Sequence, residues 1–240
     1  MAEAIEADVI INAVAYTAVD QAESEPDLAN AINGRSVGAL AAIAARRNIP
    51  LIHFSTDYVF DGSGDQPWSP DARTAPLGMY GHSKLAGEDM IRGADGPHAI
   101  IRTSWVFSAH GQNFVKTMLR LGAERDKLTI VSDQIGGPTP ASALADAAYT
   151  IARWIVTDGP SGTFHLSGGP DVSWADFARE IFRQARLNVD VEQISSADYP
   201  TPAARPLNSR LDCASLETTY GIKRPDWRIG LEDVIGDLSR

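Results

Sequence analysis

The chain has 240 residues, enough to bury a substantial core in one domain, or in one large domain with a small lobe. Hydrophobic residues make up 44% and charged residues 22%, ordinary values for a soluble globular protein. With 21 basic and 31 acidic side chains the formal net charge is −10, which disfavours nucleic acid and anionic membranes as main partners while leaving room for a small anionic substrate held by a few arginines.

The opening residues, Met1 to Glu6, carry no basic region and no long apolar run, so neither a signal peptide nor a membrane span is read there. Asp8 to Ala15 is an apolar run rich in Val and Ile and reads as a buried strand. Asp20 to Ala45 has helical spacing broken by Asn33-Gly34, and Pro50 to Phe54 reads as a second buried strand. Asp61 to Pro76 gathers Gly, Pro, Ser and Asp into a loop. Helices are expected at Met79 to Arg92, Asn113 to Gly122 and Pro140 to Thr157, and strands at His98 to Thr103 and Leu128 to Ser132. The last third changes character. It offers a short strand at Gly162 to Leu166, an amphipathic helix at Trp174 to Ala185, a Pro-rich stretch at Tyr199 to Pro206 and a final helix at Gly230 to Leu238. The only cysteine, Cys213, excludes an intrachain disulfide and fits a reducing cytoplasm.

Alternating buried strands and helices predict an α/β fold, a doubly wound Rossmann-like parallel sheet with helices on both faces. Residues 1–160 are expected to form most of it. Residues 161–240 are expected to form a smaller substrate lobe over the sheet's carboxyl edge, where ligands bind in open α/β sheets.

Tyr80-Gly81-His82-Ser83-Lys84 places a phenol and an ammonium at i and i+4, on one helix face. A nearby ammonium favours the phenolate, and such a pair can donate or accept a proton. Taken alone, the pair also reads as a surface helix pair. Thr56, directly after a predicted strand, can hydrogen-bond a substrate carbonyl, or it can cap a turn as an ordinary loop hydroxyl. Thr56, Tyr80 and Lys84 in this order on an α/β chain favour a site.

The segments DVIINAVAYTAVDQAESEP, HFSTDYVFDG, PLGMYGHSKLAGE, RTSWVF, NFVKTMLRL, SDQIGGPTP and YPTPAARPLNSRLD resemble, in order, those of the dTDP-4-dehydrorhamnose reductases, which are extended short-chain dehydrogenases/reductases. The resemblance implies NADPH- or NADH-dependent reduction of a 4-keto nucleotide sugar. It implies that Tyr80 protonates the keto oxygen, that Lys84 lowers the Tyr80 pKa and contacts the nicotinamide ribose, and that Thr56 positions the keto group. Asn12, Ala13, Ala15 and Ser55 would line the cofactor, with Thr103 and Ser104 near its nicotinamide end. Thr17 and Val19 would approach the sugar, and Tyr58, Trp105 and Asn113 would shape its pocket. Trp105 is otherwise a core aromatic after a strand. Arg205 and Arg210 suit the diphosphate oxygens, or they are solvated surface arginines. Dehydratases of the superfamily carry Thr-Asp-Glu where this chain has Thr56-Asp57-Tyr58, so the carboxylate that elimination needs is missing and reduction is favoured. C4 epimerisation is excluded less clearly.

The family's glycine-rich turn, which lets backbone approach a pyrophosphate, is not found; the glycine-dense places are Gly62 to Gly64, Gly136-Gly137 and Gly168-Gly169. About two βα units and a further strand, roughly fifty to sixty residues, are expected ahead of Asp8. A sequence that starts late, a second polypeptide completing the sheet, and a chain turned into a binding module all fit. The last resembles the regulatory subunit of methionine adenosyltransferase, a non-catalytic alternative. A homodimer is open. Some relatives use magnesium at a subunit contact, but no His or Cys cluster with ligand spacing is present and no metal site is read.

Overall fold

The apolar runs of the sequence become strands because both of their faces are covered. The computed structural model describes residues 6–157 and 159–239, so the reading of residues 1–5 lies outside the described residues. In chain order the elements begin with β1 (Ile10–Asn12), α1 (Val19–Ser24), α2 (Pro26–Asn30), a π-helical turn (Ala31–Arg35), α3 (Ser36–Arg46), β2 (Leu51–Thr56) and α4 (Met79–Gly93). There follow β3 (His98–Thr103), β4 (Val106–Phe107), α5 (Phe114–Glu124), β5 (Lys127–Val131), β6 (Ile135–Gly136), β7 (Thr139–Pro140) and α6 (Ala141–Ile155). The chain closes with β8 (Gly162–His165), β9 (Val172–Ser173), α7 (Trp174–Gln184), β10 (Asp190–Ile194), β11 (Asn208–Ser209), α8 (Ala214–Tyr220) and α9 (Trp227–Leu238).

The main sheet is parallel with the order β1-β2-β3-β8. Successive strand residues point to opposite faces. Leu51 and Ile100 pack with Val37, Ala41 and Ile91 of α3 and α4, while Ile52, Ala99 and Ile101 pack with Leu144, Ala148 and Ile151 of α6 and with Leu216 and Tyr220 of α8. A second core joins α5, β5, α7, β10 and α9 through Val115, Met118, Leu128, Phe177, Ile181, Val191 and Leu231. Here β10 runs parallel to β5, with Asp190 opposite Lys127.

Three expectations are corrected. The first strand covers only Ile10–Asn12 because the Asn12 carbonyl Oδ1 accepts the Val14 N–H at 3.1 Å, an Asx turn that ends the strand. Asn33-Gly34 does not break the long helix: the backbone continues through it as a π-turn, and the break falls earlier, before Pro26 at the first position of α2. The final helix starts at Trp227, capped by the Asp226 carboxylate, rather than at Gly230.

Candidate active site

Tyr80, Lys84 and Glu88 sit at i, i+4 and i+8 on α4 and form one stripe facing the sheet. The helix comes close enough only because of Gly81: a Cβ there would lie 2.2 Å from the Tyr58 carbonyl oxygen. That approach brings the rings of Tyr58 and Tyr80 into an edge contact with centroids 5.4 Å apart. Thr56 ends β2, caps the turn that follows by accepting the Tyr58 N–H at 3.2 Å, and donates its hydroxyl to Asp57 Oδ1 at 3.1 Å. Burial pushes the Tyr80 phenol up to about 12; a hydrogen bond with Thr56 pulls it down and the Asp57 charge pushes it up. Tyr80 is therefore a neutral acid at physiological pH. The expected lowering of its pKa by Lys84 is absent, because the Lys84 nitrogen is held elsewhere, donating to the Phe54 carbonyl at 2.6 Å and lying 3.2 Å from His53 Nε2. Burial pulls Lys84 down to about 8, against the opposing pull of Glu88. Burial raises Asp57 to about 6, against hydrogen bonds with Ser209 and Thr56.

Beneath this group lies buried charge. The side chains of His53 and Ser55 on β2 and of Arg102 on β3 all meet α4, as strand parity requires. Ser55 donates to Glu88 Oε1 at 2.5 Å, and Arg102 clamps both Glu88 oxygens at 2.9 and 2.7 Å. Burial alone would raise the Glu88 carboxyl, but Arg102, with Ser55 and Arg92, holds it below the usual range. Register sets His165 of β8 opposite Arg102, and burial beside that guanidinium lowers the imidazole to about 3. Asn33, buried in the π-turn, bonds Tyr16 N and O and the Ser83 hydroxyl, clamping the loop after β1 onto α4.

A cleft of about 870 Å³ opens between this wall and the second core. Tyr58, Phe114, Trp174, Tyr199, Arg125 and Arg205 are among the residues that line it. Trp174 stacks on Trp105 with centroids 3.7 Å apart and donates its indole N–H to Gln134 Oε1 at 3.1 Å. Trp105 has a left-handed φ of 50°, a conformation that costs roughly 1–3 kcal/mol and marks sites where the surroundings dictate the backbone.

The residues singled out from sequence differ in their surroundings. Thr56, Tyr58 and Tyr80 come together, with Lys84 one turn along α4. Tyr58 and Arg205 line the cleft, and Trp105 backs it through Trp174. Others already hold protein partners. The Asn12 side chain bonds His53 Nδ1, Ser55 bonds Glu88, and Ser104 donates to the Gly137 carbonyl. Asn113 caps α5 through Lys116 N, and Arg210 donates to Asn208 Oδ1. Arg205 is half-buried, and its guanidinium bridges both Asp20 oxygens at 3.0 and 2.9 Å. Thr103 Oγ1 is buried with no protein partner at the end of β3. Ala13, Ala15 and Thr17 follow β1 in its loop and Val19 opens α1. Among the described residues no group of three His, Cys, Asp or Glu side chains could hold a metal, and no helix is long and apolar enough to cross a membrane.

Sequence reasoning missed Glu88, Arg102, His53, Asn33, Trp174 and Gln134. Glu88 had a signal in its i+4 spacing from Lys84. The others become legible only once strand register and lobe packing are known.

A parallel sheet with helices on both faces and a Tyr–Lys helix at its carboxyl edge define a short-chain dehydrogenase/reductase type of α/β protein. The chain belongs to the family described as the RmlD substrate binding domain, whose model matches residues 1–240. It is 49% identical over 227 residues to a dTDP-4-dehydrorhamnose reductase of Sinorhizobium fredii, covering 92% of this chain and 77% of that protein. The crystal structure of a dTDP-4-dehydrorhamnose reductase from Clostridium acetobutylicum superposes with a TM-score of 0.92 at 37% identity, covering 97% of this chain and 81% of that one. The Bacillus anthracis dTDP-4-dehydrorhamnose reductase in complex with NADP gives a TM-score of 0.91 at 36% identity, covering 96% and 80%.

Proposed function

We propose that this chain reduces the 4-keto group of a dTDP-4-dehydro-6-deoxysugar, dTDP-4-dehydrorhamnose to dTDP-rhamnose, with NADPH or NADH. The observation that carries the reading is a neutral, half-buried Tyr80 beside Thr56 and in ring contact with Tyr58, which lines a cleft with aromatic and basic walls. The names of the relatives and the NADP complex of the Bacillus anthracis protein support the same assignment.

The residues fit the nicotinamide end of such a cofactor. Lys84 Nζ is fixed one helical turn from Tyr80, and the unpartnered Thr103 hydroxyl stands at the carboxyl end of β3. A bound nicotinamide supplies the hydride. Tyr80 gives its proton to the ketone oxygen, which Thr56 orients, and Lys84 would contact the nicotinamide ribose. Phe114, Trp174 and Tyr199 offer faces on which a base can stack, and Arg125 and Arg205 offer guanidinium groups to the diphosphate. Tyr58 is a phenol whose pKa burial raises further, so it cannot replace the carboxylate that elimination needs.

In this division of labour residues 1–160 chiefly hold the cofactor and 161–240 chiefly the nucleotide sugar, with α5 and β5 siding with the second group through their shared core. The cytoplasm, where thiols stay reduced, is the proposed location, since Cys213 is a buried free thiol. Ile11 on β1 and Val14 in the loop after it stand exposed, and the outer edge of β1 has no partner strand among the described residues; a strand from a second copy or another chain is the partner we propose there.

The test is NADPH oxidation coupled to dTDP-rhamnose formation by wild type and Tyr80→Phe. Removing the acid lowers kcat about 10²–10⁴-fold with nucleotide-sugar affinity retained. An unchanged kcat in Tyr80→Phe removes this mechanism.

A further inference from the structure

We infer that His53, locked by Asn12, is a positioning residue for Lys84 that presents a hydrogen-bond donor to the lysine nitrogen and so favours the neutral amine over the ammonium. The Val14 N–H points at Asn12 at 3.1 Å, which fixes that side-chain atom as the amide oxygen. The other amide atom, Nδ2, is then the nitrogen, and it lies 3.0 Å from His53 Nδ1. An amide nitrogen only donates, so Nδ1 is the acceptor and its lone pair is used. Burial, the larger cause, holds the imidazole pKa well below its ordinary value, so the ring is neutral and carries a single proton whether or not Lys84 is charged. That proton is on Nε2, which lies 3.2 Å from Lys84 Nζ. An N–H facing an ammonium leaves two donors opposed. The contact closes only when Nζ offers a lone pair to Nε2–H while donating its own hydrogen to the Phe54 carbonyl at 2.6 Å.

The other ionisable groups around Lys84 do not cancel this. Glu88, one turn along the same helix, favours the ammonium, but its two oxygens are committed to Arg102, Ser55 and Arg92. Arg102 on β3 carries the same sign as an ammonium, and Tyr80, one turn before Lys84, is neutral. His53 is fully buried, so no water competes for Nε2. The device therefore acts in the same direction as burial, which lowers Lys84 to about 8.

The consequence for turnover rests on the reductase reading, but the tautomer does not. The first measurement is ¹⁵N NMR of labelled histidine in the wild-type protein. The expected spectrum has the His53 proton on Nε2 and a bare Nδ1; a proton on Nδ1 overturns the proposal, whatever the activity. The second is the side-chain titration of the lysines, which number only four. Lys84 is expected to titrate lowest, near pH 8. In Asn12→Asp the carboxylate accepts from Nδ1–H, Nε2 becomes an acceptor, and the Lys84 midpoint rises by about one unit or more, a tenfold change in proton affinity. The alkaline limb of kcat against pH then moves up by the same amount. A flipped tautomer with an unmoved Lys84 midpoint also overturns the proposal. Should Asn12→Asp fail to fold, the wild-type tautomer decides alone. A wild-type chain that shows the expected tautomer but reduces no keto sugar leaves this inference standing and removes the reductase reading.

Discussion

The two walls of the cleft are built from different materials. Behind Tyr58 on the sheet side, His53 meets Lys84 while Arg102 meets Glu88 and His165, all 2% exposed or less, across β2, β3, β8 and α4. On the lobe side the core is Phe107, Val115, Met118, Phe177, Ile181 and Leu231, with aromatic rings stacked at its surface. Buried charge is costly unless every partner is in place, and in return it fixes geometry and shifts pKa values. An apolar aromatic wall offers area and stacking with little directional demand. The comparison teaches that chemistry belongs to the first wall and recognition to the second.

Breaking the sheet wall has the largest expected effect. Arg102→Ala leaves the Glu88 carboxylate buried without its main partner, and stability falls by about 3–5 kcal/mol, read by denaturant unfolding. A loss below about 1 kcal/mol would mean that the wall is not the rigid unit described.

A smaller effect sharpens the same contrast through pH. Asp57 has a folded pKa of about 6, raised by burial above its ordinary value. The folded state thus binds more protons than the unfolded state between about pH 4 and 6, and stability falls as pH rises through that window. Asp57→Asn removes this dependence. Its stability relative to wild type is expected to grow by up to about 3 kcal/mol between pH 4 and pH 7. A difference that stays flat across that range would show that Asp57 is not the buried acid described.

The smallest effect belongs to the lobe wall. Trp174→Ala removes a stacking face, and KM for the nucleotide sugar rises about tenfold while kcat changes less than about twofold. A fall in kcat with KM unchanged would move Trp174 from recognition to chemistry.

How much of this was legible in sequence follows from the same contrast. The strands read at Pro50 to Phe54 and His98 to Thr103 were legible because covering both faces makes a largely apolar run; the first runs on to Thr56. Tyr80 and Lys84 were readable because helix spacing puts them on one face and Thr56 precedes them at the end of a strand. Arg102 and His53 were not, because a polar residue inside an apolar run acquires its partner only when register sets it against α4. Pairing of Asp190 with Lys127 joins residues far apart in sequence, and no local pattern announces it. Trp174 looked like the start of an amphipathic helix; its role at the cleft depends on how α7 packs beside Trp105 and Gln134.

The measurement that tests the central claim most directly is transfer of label from NADPH deuterated at the nicotinamide C4, with dTDP-4-dehydrorhamnose as substrate and the product read by mass spectrometry and NMR. The account predicts one deuterium at sugar C4 and one cofactor oxidised per dTDP-rhamnose formed, with both lost in Tyr80→Phe. Sugar conversion without net cofactor oxidation, or no transfer at saturating cofactor and substrate, would contradict it.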